Sequence, residues 1–224
     1  MMVHEVSSFE RSLAPLRAEI EVFDLLGGRL RRADLAGIEV VLLGGSGAYS
    51  AAIGGPWFAT AMDSLRTVHA SGVPAFASCW GFQAMAVAMG GRAVQDRSRA
   101  EVGTHRVFLT PAAGDDPIFG SLPSSFPAQM GHEDLVEELP PRTTLLASSD
   151  AVVNQAYRFE DAPIYCTQFH PELDSAGLLA RLSTYPRYAS EVLGVPSQAI
   201  ADRVEDTPEA NRLVRLFVEH VVRR

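Results

Sequence analysis

Strand-like and helix-like segments alternate along the first ninety residues, and this alternation constrains the fold more than any other feature of the chain. Short apolar runs predict strands at residues 20–24, 38–43 and 73–78. Apolar side chains at three- and four-residue spacing predict helices at 57–71 and 82–89. Such alternation is typical of an α/β sheet with helices packed on its faces.

The second half of the chain has a different pattern. Several short strand candidates are separated by turns rich in Pro, Gly and Asp, and they cover residues 104–110, 126–130, 144–148, 152–158 and 163–169. We expect most of them to form a small antiparallel elaboration on a mostly parallel central sheet. From Ser175 onward the chain is predicted to be helical, ending in a helix at 208–222. Without repeats or a long linker, residues 1–224 are predicted to form a single domain.

Charge and composition exclude several classes of function. The 224 residues carry a net charge of −8, and all 19 basic residues are arginine. The acidity argues against a nucleic-acid partner and against an anionic membrane surface. Without lysine there is no Schiff-base chemistry, no pyridoxal anchor and no phosphate-loop lysine.

Features that report on the cellular compartment point to the cytoplasm. No apolar run reaches the roughly 18 residues that a membrane span needs, and the start lacks the layout of a secretory signal. The two cysteines, Cys79 and Cys166, are too few for a disulfide framework, which fits a reducing compartment.

The strongest local signal is the run Ala77-Ser78-Cys79-Trp80-Gly81-Phe82-Gln83. A strand that ends at Ser78 and a helix that begins near Gly81 place Cys79 on a tight turn, the geometry of a nucleophile elbow. There the helix dipole and free backbone N–H groups favour the reactive thiolate. The alternative is that Cys79 is a small buried apolar residue of the core.

A second run, Gln168-Phe169-His170-Pro171-Glu172, also follows a predicted strand. If both strands are parallel, His170 emerges at the same sheet edge as Cys79. A nucleophilic cysteine needs an imidazole partner, and the imidazole needs a group that fixes its tautomer. Glu172 is placed to provide that group.

The glycine-rich run Gly44-Gly45-Ser46-Gly47 completes the pattern. Acyl transfer at a thiol needs N–H donors for the developing oxyanion, and this loop and Trp80 can each supply one. The run lacks the last glycine of a dinucleotide fingerprint. It also has Ala48 where a serine elbow needs glycine. A zinc centre built from His105, His132, His170 and Glu172 has no ligand pair with recognised spacing, so no metal is predicted.

These three runs, in this order, resemble the class I glutamine amidotransferases, and in particular stand-alone proteins similar to the glutaminase part of GMP synthase. The similarity extends from about residue 20 to the last helix and includes Gly131-His132-Glu133-Asp134. It implies a flavodoxin-like three-layer sandwich and a catalytic triad of Cys79, His170 and Glu172. It further implies oxyanion donors at Gly45 or Ser46 and Trp80, and substrate contacts at Gln83, His132 and Glu133.

The resemblance also implies a reaction, hydrolysis of a γ-glutamyl amide through a thioester on Cys79, with no cofactor. The substrate is glutamine or a small γ-glutamyl compound, and the ammonia acceptor is a separate synthetase chain. Two alternatives stay open: a self-contained γ-glutamyl hydrolase or peptidase, and a non-catalytic binding module on the same fold. The family usually begins with a full strand, whereas here only Met2–Val6 precede a helix-like segment at 7–18. A shortened strand is therefore expected at 2–6, or a start site placed too late.

Overall fold

A computed structural model describes residues 2–184, 192 and 194–222. Within these residues seven strands form the main sheet, in the spatial order β1-β2-β9-β8-β7-β4-β5. They are β1 (Val41–Leu43), β2 (Ala75–Ser78), β4 (Glu101–Leu109), β5 (Ser125–His132), β7 (Thr143–Ser148), β8 (Ala156–Phe159) and β9 (Ile164–Thr167). Strands β3 (Arg92–Gln95) and β6 (Asp134–Glu138) form a separate antiparallel pair.

Helices pack on both faces of the main sheet. The described helices are α1 (Met2–Leu13), α2 (Phe58–Ser71), α3 (Trp80–Ala88), α4 (Ser175–Thr184), α5 (Ser197–Ala201), α6 (Pro208–Asn211) and α7 (Leu213–Val222). Short 3-10 turns occur at Arg32–Leu35, Arg97–Arg99, Pro111–Asp115 and Phe119–Ser121.

The alternation of side chains along β2 shows why the molecule has three layers. Ala75 and Ala77 belong to the core formed with α2 and α3, whereas Phe76 between them belongs to the core formed with α1 and α7. Successive side chains of a strand point to opposite faces, so a strand buried on both sides is apolar throughout. The predicted α/β class and its flavodoxin-like layering are confirmed.

The parallel part of the main sheet is smaller than the sequence indicated. β1, β2 and β9 pair in parallel, but the four pairings among β9, β8, β7, β4 and β5 are antiparallel. The links between β7, β8 and β9 are a few residues long, and such short links allow only antiparallel neighbours.

Two expectations near the start of the chain are wrong. Residues 2–6 are helical instead of forming a shortened strand, because Phe9 and Leu13 on the same helix are buried against the core. Residues 20–24 form no strand: they pair with no other strand, and Val22 and Phe23 are 55% and 42% exposed. An alternating apolar pattern yields a strand only where a partner edge is available.

Other expectations hold with shifted boundaries. The helix predicted at 57–71 is found at Phe58–Ser71, whereas the one predicted at 208–222 is divided at Arg212 into α6 and α7. Within the helical prediction that begins at Ser175, residues 185–191, 193 and 223–224 lie outside the described part of the chain.

The described helices are all shorter than a membrane span. Within the described part of the chain, none combines the length and apolar character needed to cross a bilayer.

Candidate active site

Cys79 occupies a strained turn between β2 and α3. Its backbone has φ 50° and ψ −104°, a positive φ that residues other than glycine rarely adopt. Its N–H donates to the carbonyl of Thr167 at 2.8 Å, which ties the turn to the end of β9. Gly81 follows because a Cβ there would lie 2.8 Å from the carbonyl oxygen of Leu43. The sheet therefore holds Cys79 in a conformation that costs about 1–3 kcal/mol.

His170 reaches the same edge of the sheet as Cys79. β2 and β9 are parallel, with Ser78 opposite Thr167, and His170 lies three residues beyond Thr167. Its N–H donates to the carbonyl of Gln129 at 2.9 Å. The prediction that the two strands end together is confirmed by this register.

Glu172 holds one nitrogen of the imidazole. Its Oε1 lies 2.5 Å from Nδ1 of His170, and both side chains are almost fully buried. A carboxylate at Nδ1 fixes the ring orientation and leaves Nε2 for another partner. Cys79 is 5% exposed, and its Sγ donates to the carbonyl of Gly131 at 3.8 Å. A Cβ on Gly131 would in turn lie 4.0 Å from Nε2 of His170, so the thiol and this nitrogen lie near the same residue.

Burial and the neighbouring charges shift the pKa values of His170 and Glu172 in opposite directions. Burial lowers the pKa of His170, but the negative charges of Cys79 and Glu172 outweigh it and raise the pKa to about 10. Burial raises the pKa of Glu172, but attraction to His170 and the hydrogen bond between them bring it below its ordinary value. The arrangement therefore favours the protonated, positively charged form of the His170 imidazole and the charged form of Glu172.

Gly45 lies between the two side chains. A Cβ at this position would be 2.7 Å from Cε1 of His170 and 3.4 Å from Cβ of Cys79. Only glycine lets the loop after β1 approach so closely. Trp80 is the first residue of α3, and the neighbouring Gly81 N–H donates to the carbonyl of Gly44 at 3.2 Å. The loop after β1 and the first turn of α3 thus meet next to Cys79.

A cavity of about 160 Å³ opens beside Cys79. Its lining includes most of the side chains predicted to contact substrate or oxyanion, together with others from the same loops: Ser46, Tyr49, Ser50, Gln83, Gly131, His132, Glu133 and Asp134. The structure therefore brings Ser46, Gln83, His132 and Glu133 to one cavity with Cys79, whereas Gly45 and Trp80 lie next to Cys79 and are not among its lining residues.

Three of these side chains already have partners. Nε2 of Gln83 donates to the carbonyl of Asp134 at 2.8 Å and to Oε1 of Gln168 at 3.2 Å. Nε2 of His132 lies 3.3 Å from Oε2 of Glu101. The carboxylate of Glu133 accepts from Arg97 at 2.8 Å. These contacts hold the cavity wall in place from behind.

Sequence reasoning missed several residues of the site. Asp134, which stood in the run Gly131-His132-Glu133-Asp134 but received no role, lines the cavity and accepts a 2.5 Å hydrogen bond from Ser50. Arg181 contacts the back of the site and pairs there with Glu5. These two residues are 176 positions apart, and no local motif marks either of them.

Fold and site together define a three-layer α/β protein with a cysteine, a histidine and a glutamate buried at the carboxyl edge of its sheet. The chain belongs to the class I glutamine amidotransferase family, whose model matches residues 6–177. The resemblance drawn from the sequence motifs is confirmed by this match.

Curated relatives of the chain include GMP synthases. It is 36% identical over 123 residues to the glutamine-hydrolysing GMP synthase of Vibrio atlanticus, a match that covers 54% of the chain and 23% of that protein. It is 37% identical over 101 residues to a separate subunit of the glutamine-hydrolysing GMP synthase of Methanopyrus kandleri, covering 45% of the chain and 52% of that protein. The chain thus spans about a quarter of the first relative and half of the second.

Solved structures show the same fold. A glutamine amidotransferase from Thermotoga maritima superposes with a TM-score of 0.69 at 19% identity, covering 85% of this chain and 80% of the other. A glutamine amidotransferase from Methylobacillus flagellatus superposes with a TM-score of 0.65 at 23% identity, covering 96% and 81%.

Proposed function

We propose that the protein hydrolyses the amide of glutamine, or of a small γ-glutamyl compound, through a thioester on Cys79. The observation that carries this proposal is the buried pair of His170 and Glu172, which Gly45 brings beside Cys79, the residue that lines the cavity. Family membership supports an enzyme of this general kind. The identity of the substrate and the roles of the individual residues are our proposal.

In the first half of the reaction, the thiolate of Cys79 attacks the carboxamide carbon and forms a C–S bond. The carbonyl oxygen becomes an oxyanion, which accepts hydrogen bonds from the N–H of Gly45 or Ser46 and from that of Trp80. When the tetrahedral intermediate collapses, the C–N bond breaks and the imidazolium of His170 gives its proton to the departing nitrogen. Ammonia or an amine leaves, and a γ-glutamyl thioester stays on Cys79.

In the second half, neutral His170 takes a proton from water while the water oxygen attacks the thioester carbon. The C–S bond then breaks, glutamate leaves and the thiolate of Cys79 is regenerated beside the imidazolium. Throughout both halves Glu172 holds Nδ1, so that Nε2 is always the nitrogen that exchanges protons.

The lining of the cavity supports a glutamyl substrate. Gln83, His132 and Glu133 are proposed to contact it, and Asp134 adds a second carboxylate to the wall. Carboxylates at this position complement the α-ammonium group of a free γ-glutamyl compound.

The ammonia acceptor is proposed to lie on a separate synthetase chain. The support is the similarity to a protein that is named as one subunit of a glutamine-hydrolysing GMP synthase. A self-contained γ-glutamyl hydrolase differs in one measurable respect, because it is fully active alone, whereas a dependent glutaminase chain stays nearly silent until its partner binds.

The test is glutamate release by the purified chain from glutamine and from a panel of γ-glutamyl amides, with Cys79→Ser as the blank. Because a dependent glutaminase chain can be silent alone, the same chain is treated with a diazo-ketone analogue of glutamine. The labelled peptide is then identified by mass spectrometry. Adduct on Cys79 that glutamine suppresses supports the proposal. An unlabelled Cys79 in a folded chain that releases no glutamate would instead indicate a non-catalytic binding module.

A further inference from the structure

An ion pair from two distant helices lies behind His170. Nη2 of Arg181, on α4, donates to Oε1 of Glu5, on α1, at 2.5 Å. The Arg181 side chain is 20% exposed and that of Glu5 is 14% exposed. Few surface ion pairs are this well shielded, so both charges act on their surroundings with little screening by solvent.

Arg181 also contacts the imidazole of His170. Its Nη1 lies 3.4 Å from Nδ1 and 3.5 Å from Nε2. An atom nearly equidistant from both nitrogens lies either over the ring face or in the ring plane beyond Cε1. In the second position Nη1 would lie closer to Cε1 than to either nitrogen, inside van der Waals contact. Nη1 of Arg181 therefore lies against the face of the imidazole.

Glu5 is held in place from its other side. Its Oε2 is buried with no hydrogen-bond partner among the described residues, and a Cβ on Gly44 would lie 3.0 Å from it. Glu5 thus packs against the loop that carries Gly45. A carboxylate so placed loses solvation, and burial raises its pKa while Arg181 lowers it. The cost of burying this carboxylate is offset only if Arg181 stays beside it.

We propose that Arg181, anchored by Glu5, is a positioning residue that holds the imidazole of His170 toward Cys79 and sets the charge balance of that pair. The contact of Nη1 with the ring face restrains rotation of the imidazole away from the orientation that Glu172 sets. The positive guanidinium opposes a second positive charge on the ring, whereas Glu5 favours it. The inference rests on the proposed role of His170 as partner of Cys79.

The charges around the imidazole come from several elements. Cys79 and Glu172 face it from the sheet edge, and Arg181 and Glu5 from the two helices. Other titratable groups lie farther from the imidazole. They are His4 and Arg11 on α1, Asp174 before α4, and His132 with Glu101 on the sheet. The two residues of the ion pair are opposite in sign, so removing one or the other must move the titration of the Cys79–His170 pair in opposite directions.

The experiment follows alkylation of Cys79 by iodoacetamide against pH, with the modified peptide read by mass spectrometry. The thiolate displaces iodide and forms a thioether, so the rate reports thiolate formation and needs no substrate. Arg181→Gln removes a positive charge, and we expect the midpoint to rise by about 0.5 to 1 pH unit. Glu5→Gln removes a negative charge, so its midpoint should fall by a similar amount. The double variant should return toward the wild-type midpoint.

Arg181→Lys separates the charge from the two-sided contact of the guanidinium. A single lysine ammonium keeps the charge but cannot contact Glu5 and the imidazole through two separate nitrogens, so the midpoint should stay near that of wild type while glutamate release falls about three- to tenfold. Arg66→Gln is the matched control, because it breaks the 2.9 Å ion pair with Asp63 on α2, and it should change neither quantity.

Two results would overturn the inference. One is a midpoint that is the same in wild type, Arg181→Gln and Glu5→Gln, when all three chains have equal near-UV circular dichroism. The other is a shift of both variants in the same direction. If Arg181→Gln does not fold, the lower alkylation midpoint expected for Glu5→Gln still tests the inference. Because alkylation is independent of hydrolysis, a chain that shows opposite shifts but releases no glutamate and takes no diazo-ketone label on Cys79 keeps this inference and fails the proposed function.

Discussion

A side chain at Gly45 would collide with the ring of His170, because its Cβ would lie 2.7 Å from Cε1. The same Cβ would lie 3.4 Å from Cβ of Cys79. The loop after β1 therefore closes over the cysteine and the histidine at once. The absence of one methyl group lets these three residues share a single site.

Gly45→Ala should disable the site while leaving the fold intact. The methyl group must displace the imidazole or the loop by several tenths of an ångström, which separates His170 from Cys79. We expect glutamate release to fall by about a hundredfold, since misplacement on this scale is costly to catalysis. Gly114→Ala, outside the site, is the control, because no atom lies within 4 Å of its added Cβ. Equal losses in both variants would contradict this account of Gly45.

Cys79→Gly should be more stable than Cys79→Ala, and both variants should be inactive. Glycine adopts positive φ without strain, so the free energy of unfolding should rise by about 1 kcal/mol relative to Cys79→Ala. Both variants lose the thiolate, and the comparison therefore isolates the backbone strain. Urea unfolding of the two variants measures the difference. A glycine variant no more stable than the alanine variant would show that the turn stores no strain.

Glu172→Gln should impair hydrolysis and weaken the imidazolium. Because the negative charge of Glu172, together with that of Cys79, raises the pKa of His170, its removal should shift the alkaline limb of the activity profile to lower pH. Loss of the fixed tautomer should also reduce turnover by about a hundred- to ten-thousandfold. Steady-state kinetics between about pH 6 and 10 gives both quantities. A limb that moves to higher pH would contradict the proposed charge arrangement.

Stability should decrease as the solution becomes alkaline. The pKa of His170 is raised from 6.5 to about 10 in the folded chain. A raised pKa contributes stability that is fully present below pH 6.5 and is lost as the pH rises through about 10. The free energy of unfolding should therefore fall across this window. His170→Gln should flatten the curve, and Cys79→Ala should flatten it in part because the negative charge of the thiolate does most to raise this pKa. Urea unfolding at successive pH values measures the pH dependence of the free energy of unfolding for the wild type and both variants.

Local sequence patterns were sufficient where short-range physics decides the structure. The apolar spacing at 57–71 predicted α2 because one face of that helix is buried. The Cys79 turn was predicted because a strand followed directly by a helix must be joined by a very tight turn. The same patterns failed for residues 20–24, where a strand needs a partner that this segment does not find. They also gave no sign of the pairing of β3 with β6.

The sequence by itself determined which groups are available for chemistry: one cysteine on an elbow, one histidine after a strand, a glutamate two residues on, and no lysine anywhere. The local setting of these side chains can be predicted because it depends only on residues a few positions away. Only the tertiary structure decided that Gly45 closes on His170 and that Arg181 and Glu5 meet behind it. Those contacts join residues up to 176 positions apart. They arise from the packing of α1 and α4 at the sheet edge, and no local propensity encodes such a contact.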